Sequence, residues 1–190
     1  MRNFISEDDI ERAILSILKA EPFKYDILIC DASPDKRDVL PDGTGRNSKK
    51  ECILPDVMLT SLKRINPAIE EDKIKEIVKT LRQDYTGTDI VDTNYKLYRQ
   101  IRNKEDFDFV KLIDFEHPEN NTFTAVSQMW IQGKVYYRRP DILIFVNGMP
   151  LVFIELKNSI VKVEEAYNKN LKDYMRDIPN LFAFNQICVL

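Results

Sequence analysis

Two short apolar runs place the strongest constraint on what this chain can fold into. Residues 141–146 and 151–157 are dense in Ile, Leu, Val and Phe, and Asn147-Gly148-Met149-Pro150 lies between them. Runs of this composition favour strands, and continuous apolarity marks strands covered on both faces. The residues between them are turn formers, since Asn and Gly reach left-handed backbone and Pro cannot extend a ladder. The unit reads as a hairpin at the centre of a sheet with structure packed on each side.

Charge inside such a hairpin needs a physical reason. Asp141 opens it, and Glu155 and Lys157 close it. Residues two apart in a strand share a face, so Glu155 and Lys157 project together while Leu156 faces the opposite layer. Asp141 joins them only in the right register. A loop over 146–150, or one that pairs Val146 with Pro150, sets Asp141 opposite Glu155. A loop of the intermediate, even length sets it opposite Leu156 unless a bulge intervenes. The expectation is an odd loop or a bulge.

Buried carboxylates left unpaired would cost several kcal/mol each. A divalent cation compensates them, and Mg²⁺ needs only one or two carboxylates beside waters and a substrate phosphate. Such a metal acidifies a water and neutralises charge on a phosphate. Asp141 and Glu155 are the candidate metal ligands. Lys157 is placed to orient the water or stabilise the phosphate. A plain Glu155–Lys157 salt bridge at a sheet end is the alternative.

The rest of the chain supplies layers for this sheet. Ser6 followed by Glu7, Asp8 and Asp9 signals a helix start, and Ile10, Ala13, Ile14, Ile17 and Leu18 recur at helical spacing. That helix should end before Pro22, with a strand over 26–31. Residues 33–50 read as a long loop, and their Gly43-Thr44-Gly45 lacks phosphate-loop spacing. Helical patterns resume over 57–65 and 70–82, while 89–103 is ambiguous. The block 33–105 reads as a loop and helical insertion beside the core. Strands are expected over 110–115, 123–131 and 135–137, a helix over 163–176, and a last strand region over 181–184 and 187–190. Residues 106–190 would then hold the catalytic sheet and its following helix. The apolar end suggests a piece of something longer.

With 31 acidic against 28 basic residues, the net charge of -3 does not advertise nucleic acid. Any grip on DNA must be local or supplied by a partner. Cys30, Cys52 and Cys188 are scattered without metal-ligand spacing and read as buried thiols. No signal-peptide or bilayer-length run stands out, so a cytoplasmic protein is expected. The single histidine, His117, reads as a turn residue, and Trp130 as core or interface.

Pro140-Asp141 with Glu155-Leu156-Lys157 resembles the PD-(D/E)XK nuclease motif. The wider text from Arg138 to Leu151 closely resembles the amino-terminal nuclease domain of type I restriction enzyme R (HsdR) subunits. So do Leu112-Ile113-Asp114-Phe115, Pro118-Glu119-Asn120-Asn121 and Ile178-Pro179. The resemblance implies an α/β (α+β) fold, a restriction-endonuclease-like core whose central mixed β-sheet is flanked by helices, with a helical insertion. It makes 1–190 a single nuclease domain. It implies Mg²⁺-dependent cleavage of double-stranded DNA, ATP used only through a translocase domain absent from this chain, and methyltransferase and specificity subunits as partners. The family's Gln-xxx-Tyr element falls on Asn170 and Tyr174, with Asn170 departing from the glutamine. Glu11 on the first helix is an accessory candidate near the metal. Lys134, Arg138 and Arg139 are DNA-contact candidates. A nuclease-fold module that only docks or positions DNA, or another nuclease of this fold, is the competing reading.

Overall fold

The computed structural model describes residues 6–83, 91, 92, 95, 99, 110–157, 164 and 166–190. Most of the ambiguous 89–103 stretch, and residues 163 and 165 of the expected last helix, lie outside them. A five-stranded mixed sheet organises the chain, in spatial order β1 (Asp26–Ile29), β2 (Phe123–Ser127), β5 (Ile142–Val146), β6 (Met149–Ile154), β7 (Ile187–Val189). β1 runs parallel to β2, β7 runs parallel to β6, and the three central strands are antiparallel. A separate small hairpin, β3 (Ile131–Gln132) and β4 (Tyr137–Arg138), leads into β5.

Strand alternation sorts the apolar side chains to two faces. Ala125, Ile142 and Ile154 meet Leu15 of α1 (Glu7–Lys19), with Ile14, Leu18, Ile144 and Val152 around them. Helix α1 starts where the sequence indicates: Ser6 and Asp9 form a reciprocal capping box. Val126, Leu143, Phe145 and Phe153 face the other way, onto Tyr174 of α4 (Lys172–Asp177) and Leu181 and Phe182 of α5 (Pro179–Phe182). Helices α2 (Pro55–Ile65) and α3 (Glu71–Leu81) build a second apolar cluster against Met149, Leu151 and Phe184.

The hairpin turn packs into this second cluster. Asn147 and Gly148 both have positive φ, 49° and 83°. Gly148 is required for a further reason: a Cβ there would lie 2.6 Å from the Leu54 carbonyl oxygen and 2.8 Å from Met58. The Gly148 carbonyl accepts the Leu54 N–H at the start of α2, so turn and helix lock together.

Three expectations are corrected. Residues 110–115 form no strand. Side-chain amides take over the ladder's role: Asn66 bonds both Lys111 backbone groups, Asn147 bonds the Leu112 carbonyl, and Asn121 bonds both backbone groups of Asp114. Residues 181–184 are not extended either, because Pro179 opens a helical turn instead of only ending one. Cys188 lies exposed on edge strand β7, unlike buried Cys30 and Cys52.

Candidate active site

The carboxylates meet at one end of the sheet, where the register decides everything. Val146 pairs with Met149 across a tight Asn147-Gly148 turn. Continued unchanged, that even-numbered turn would set Asp141 opposite Ile154, on the wrong face. A bulge between Ile144 and Phe145 shifts the pairing, so Ile142 pairs with Ile154. The next step outward brings Asp141 alongside Glu155. Of the two expected routes, the chain takes the bulge.

Asp141 then reaches across the strand end, its Oδ2 accepting the Leu156 N–H at 2.6 Å. Lys157 Nζ donates to Glu155 Oε1 at 2.7 Å and to the Leu156 carbonyl at 2.9 Å. Glu155 is 6% exposed, and among the described residues its buried Oε2 has no hydrogen-bond partner. Burial foremost, then the neighbouring Glu155 and Glu11 carboxylates, push Asp141 up to about 6, against the pull of the Leu156 N–H and Lys157.

Tyr174 sits beneath this cluster. Its ring packs edge-on against Phe153 at 5.0 Å, and its hydroxyl donates to the Arg139 carbonyl at 3.0 Å. Burial, and then the Glu155 carboxylate, hold its phenol far above the ordinary range. The phenol stays a donor and fixes the backbone two residues before Asp141. Asn170 does not share a regular helix face with Tyr174, because residues Ala166–Leu171 coil as a π-helix ahead of α4.

The basic candidates divide. Arg138 is held by Asp177 at 2.5 Å and lies over the Tyr174 ring. Arg139 donates to the Ala32 carbonyl and stacks on Trp130 at 5.1 Å. Lys134 is exposed at the turn between β3 and β4.

Two neighbours carry no signal in the sequence. Ser127 Oγ donates to Glu11 Oε1, and Gln128 Nε2 donates to Glu11 Oε2 at 2.6 Å. Gln128 Nε2 also lies 3.5 Å from Asp141 Oδ1. Neither residue stands in a motif; only the pairing of β2 with β5 brings them here.

Among the described residues, no three His, Cys, Asp or Glu side chains form a metal-holding group. The donor set nonetheless suits a hard cation of low protein-ligand demand. Asp141 and Glu155 supply carboxylate oxygens, and among the described residues the buried Glu155 Oε2 has no hydrogen-bond donor.

A family model described as type I restriction enzyme R protein N terminus matches residues 4–190. The chain belongs to this family. As a type I R-protein N terminus it has curated relatives of matching kind. It is 29% identical over 203 residues to the type I restriction enzyme HindI endonuclease subunit of Haemophilus influenzae, covering 98% of this chain and 18% of that protein. It is 32% identical over 173 residues to the putative type I restriction enzyme MjaIXP endonuclease subunit of Methanocaldococcus jannaschii, covering 80% of this chain and 16% of that one. This R-protein domain therefore spans under a fifth of the length of those relatives. Its mixed sheet flanked by helices is a restriction-endonuclease-like fold. Among the described residues, no helix is long and apolar enough to cross a membrane.

Proposed function

We propose that this chain is the Mg²⁺-dependent nuclease domain of a type I restriction subunit and hydrolyses phosphodiester bonds of double-stranded DNA. The observation that carries the reading is the bulged register, which sets Asp141 beside Glu155 with Lys157 Nζ 2.7 Å from Glu155 Oε1. Relatives named as endonuclease subunits support it.

In this reading Asp141 and Glu155 hold the cation. When bound, Mg²⁺ supplies positive charge at the scissile phosphate and lowers the pKa of a water. Asp141 keeps one oxygen on the Leu156 N–H and presents the other to the site. Lys157 presents its ammonium beside the same carboxylate pair, where it orients the attacking water or donates to a phosphate oxygen. Tyr174 holds the Arg139 carbonyl, so the Pro140-Asp141 segment stays in place as charge moves. Arg138 and Arg139 are committed to protein groups, which makes Lys134 the phosphate contact of the three. Sequence choice and ATP hydrolysis belong to parts outside this chain: specificity and methyltransferase subunits, and a translocase domain. Partners also compensate for a net charge of -3.

The test uses the assembled complex with ATP, its methyl-donor cofactor and Mg²⁺ on unmethylated plasmid. Asp141→Ala and Lys157→Ala abolish cleavage, by about 10³-fold or more, while ATP hydrolysis persists. Cleavage retained in both variants removes these residues from the mechanism and favours a docking module. This chain by itself cuts weakly or not at all; robust sequence-specific cutting by it would contradict the partner-dependent account.

A further inference from the structure

Gln128 occupies a position that regular strand geometry does not offer. Ser127, the last residue of β2, faces α1 and bonds Glu11. Simple alternation would turn the next side chain to the opposite layer. Instead Gln128 has a φ of 57°, left-handed backbone that a non-glycine residue adopts only under constraint. Its N–H donates to the Asp141 carbonyl at 3.0 Å. Its carboxamide lies between the two layers, with Nε2 2.6 Å from Glu11 Oε2 and 3.5 Å from Asp141 Oδ1. Among the described residues its Oε1 is buried without a hydrogen-bond partner. The strained backbone and the orphaned oxygen are both unfavourable, and what they achieve is one NH₂ group facing two carboxylates.

We infer that Gln128 is the positioning residue of this site, the group through which Glu11 on α1 holds Asp141 in place. Glu11 has one oxygen on Ser127 and the other on Gln128, so both are committed to anchoring. Asp141 has Oδ2 on the Leu156 N–H, and Gln128 restrains Oδ1. The two N–H groups of one amide also offset the repulsion that facing carboxylates would otherwise feel. Glu11 thus acts on the metal-binding carboxylate at one remove. The effect on metal affinity rests on the proposed function; the restraint on Asp141 does not.

The experiment compares the unsubstituted chain with Gln128→Met, which keeps length and removes both donors. In the metal-free protein the readout is hydrogen exchange at the Leu156 amide, the group that Asp141 Oδ2 accepts. Gln128→Met speeds that exchange about tenfold while core amides such as that of Leu143 are unchanged. Glu11→Gln does the same, and the double variant adds nothing further, because the two act in series. Titration with Mg²⁺ alone then gives an affinity ten- to a hundredfold weaker in Gln128→Met, about the loss expected when a ligand's supporting group is removed. Unaltered Leu156 protection in Gln128→Met overturns the inference. Mg²⁺ binding that Asp141→Asn leaves intact overturns the metal reading instead, and the exchange data still decide the role of Gln128. If the methionine variant does not fold, Gln128→Gly, whose backbone suits this φ, carries the same comparison.

Discussion

Asp141 is a carboxylate held where its charge is disfavoured, and this has consequences that can be measured without substrate. Burial leads in pushing it up to about 6, from the ordinary aspartate value of 3.8. Between those values the folded chain binds more protons than the unfolded chain, so stability falls as pH rises through that window. Asp141→Asn removes the titrating group and keeps an acceptor for Leu156. In metal-free buffer at pH 8 it should be more stable than the unsubstituted chain by about 1–2 kcal/mol, with the difference vanishing near pH 3.5. Urea unfolding at the two pH values checks this; equal stability at pH 8 would mean that Asp141 ionises freely. Mg²⁺ affinity, read by calorimetry, should weaken as pH falls below about 6, because each bound cation must displace the proton.

At the scale of elements, two glycines and one asparagine decide whether the site assembles. Asn147 is fully buried at positive φ, accepting the Thr122 N–H at 2.8 Å and donating to Leu112 and Asn121. Asn147→Ala strains the turn and strands the Thr122 N–H and the Leu112 carbonyl, so a loss of about 3–5 kcal/mol is expected in chemical denaturation. Gly133 follows β3, and a Cβ there would sit 1.7 Å from the Asp177 carbonyl oxygen at the end of α4. Gly133→Ala must push the β3–β4 hairpin off that helix. The Arg138–Asp177 pair should break, and DNA cleavage by the complex should fall along with stability. Normal cleavage by Gly133→Ala would show that the hairpin is not needed to present Asp141.

Across the whole molecule, the long 33–50 segment is tied down by charge, while Cys52, Ile53 and Leu54 beyond it are buried in the apolar core. Asp42 bonds Arg46 at 2.7 Å and Lys49 at 2.6 Å, with those cations 0% and 4% exposed. Arg46 also donates to the carbonyls of Glu51 and Trp130, and the Lys49 carbonyl accepts the Gln132 N–H. The network thus braces Trp130, on which Arg139 stacks close to the site. Burial works to raise Asp42, but Arg46, Lys49 and Thr44 outweigh it and hold the carboxyl far below its usual range. The sign is opposite to that of Asp141: this stabilisation is present above the unfolded value and is lost as pH falls through the folded one. Asp42→Ala leaves two buried cations uncompensated and should cost about 3–5 kcal/mol in urea unfolding at pH 7.

Much of this was legible in the residues alone. Apolar density and turn chemistry marked the hairpin of 141–157, helical spacing and a cap marked α1, and an isolated Asp, Glu and Lys in apolar surroundings marked the candidate site. These signals are local, because propensity and periodicity act within a few residues. Local pattern narrows the register to an odd loop or a bulge, and only packing of the turn against α2 and β2 decides between them. Segments 110–115 and 181–184 have the composition of strands, but distant asparagines bond the first and a proline opens a helical turn in the second. Gln128 and Ser127 were invisible for the same reason. Their chemistry comes from Glu11 and Asp141, which are remote along the chain and become neighbours only when α1 and β5 close around the end of β2.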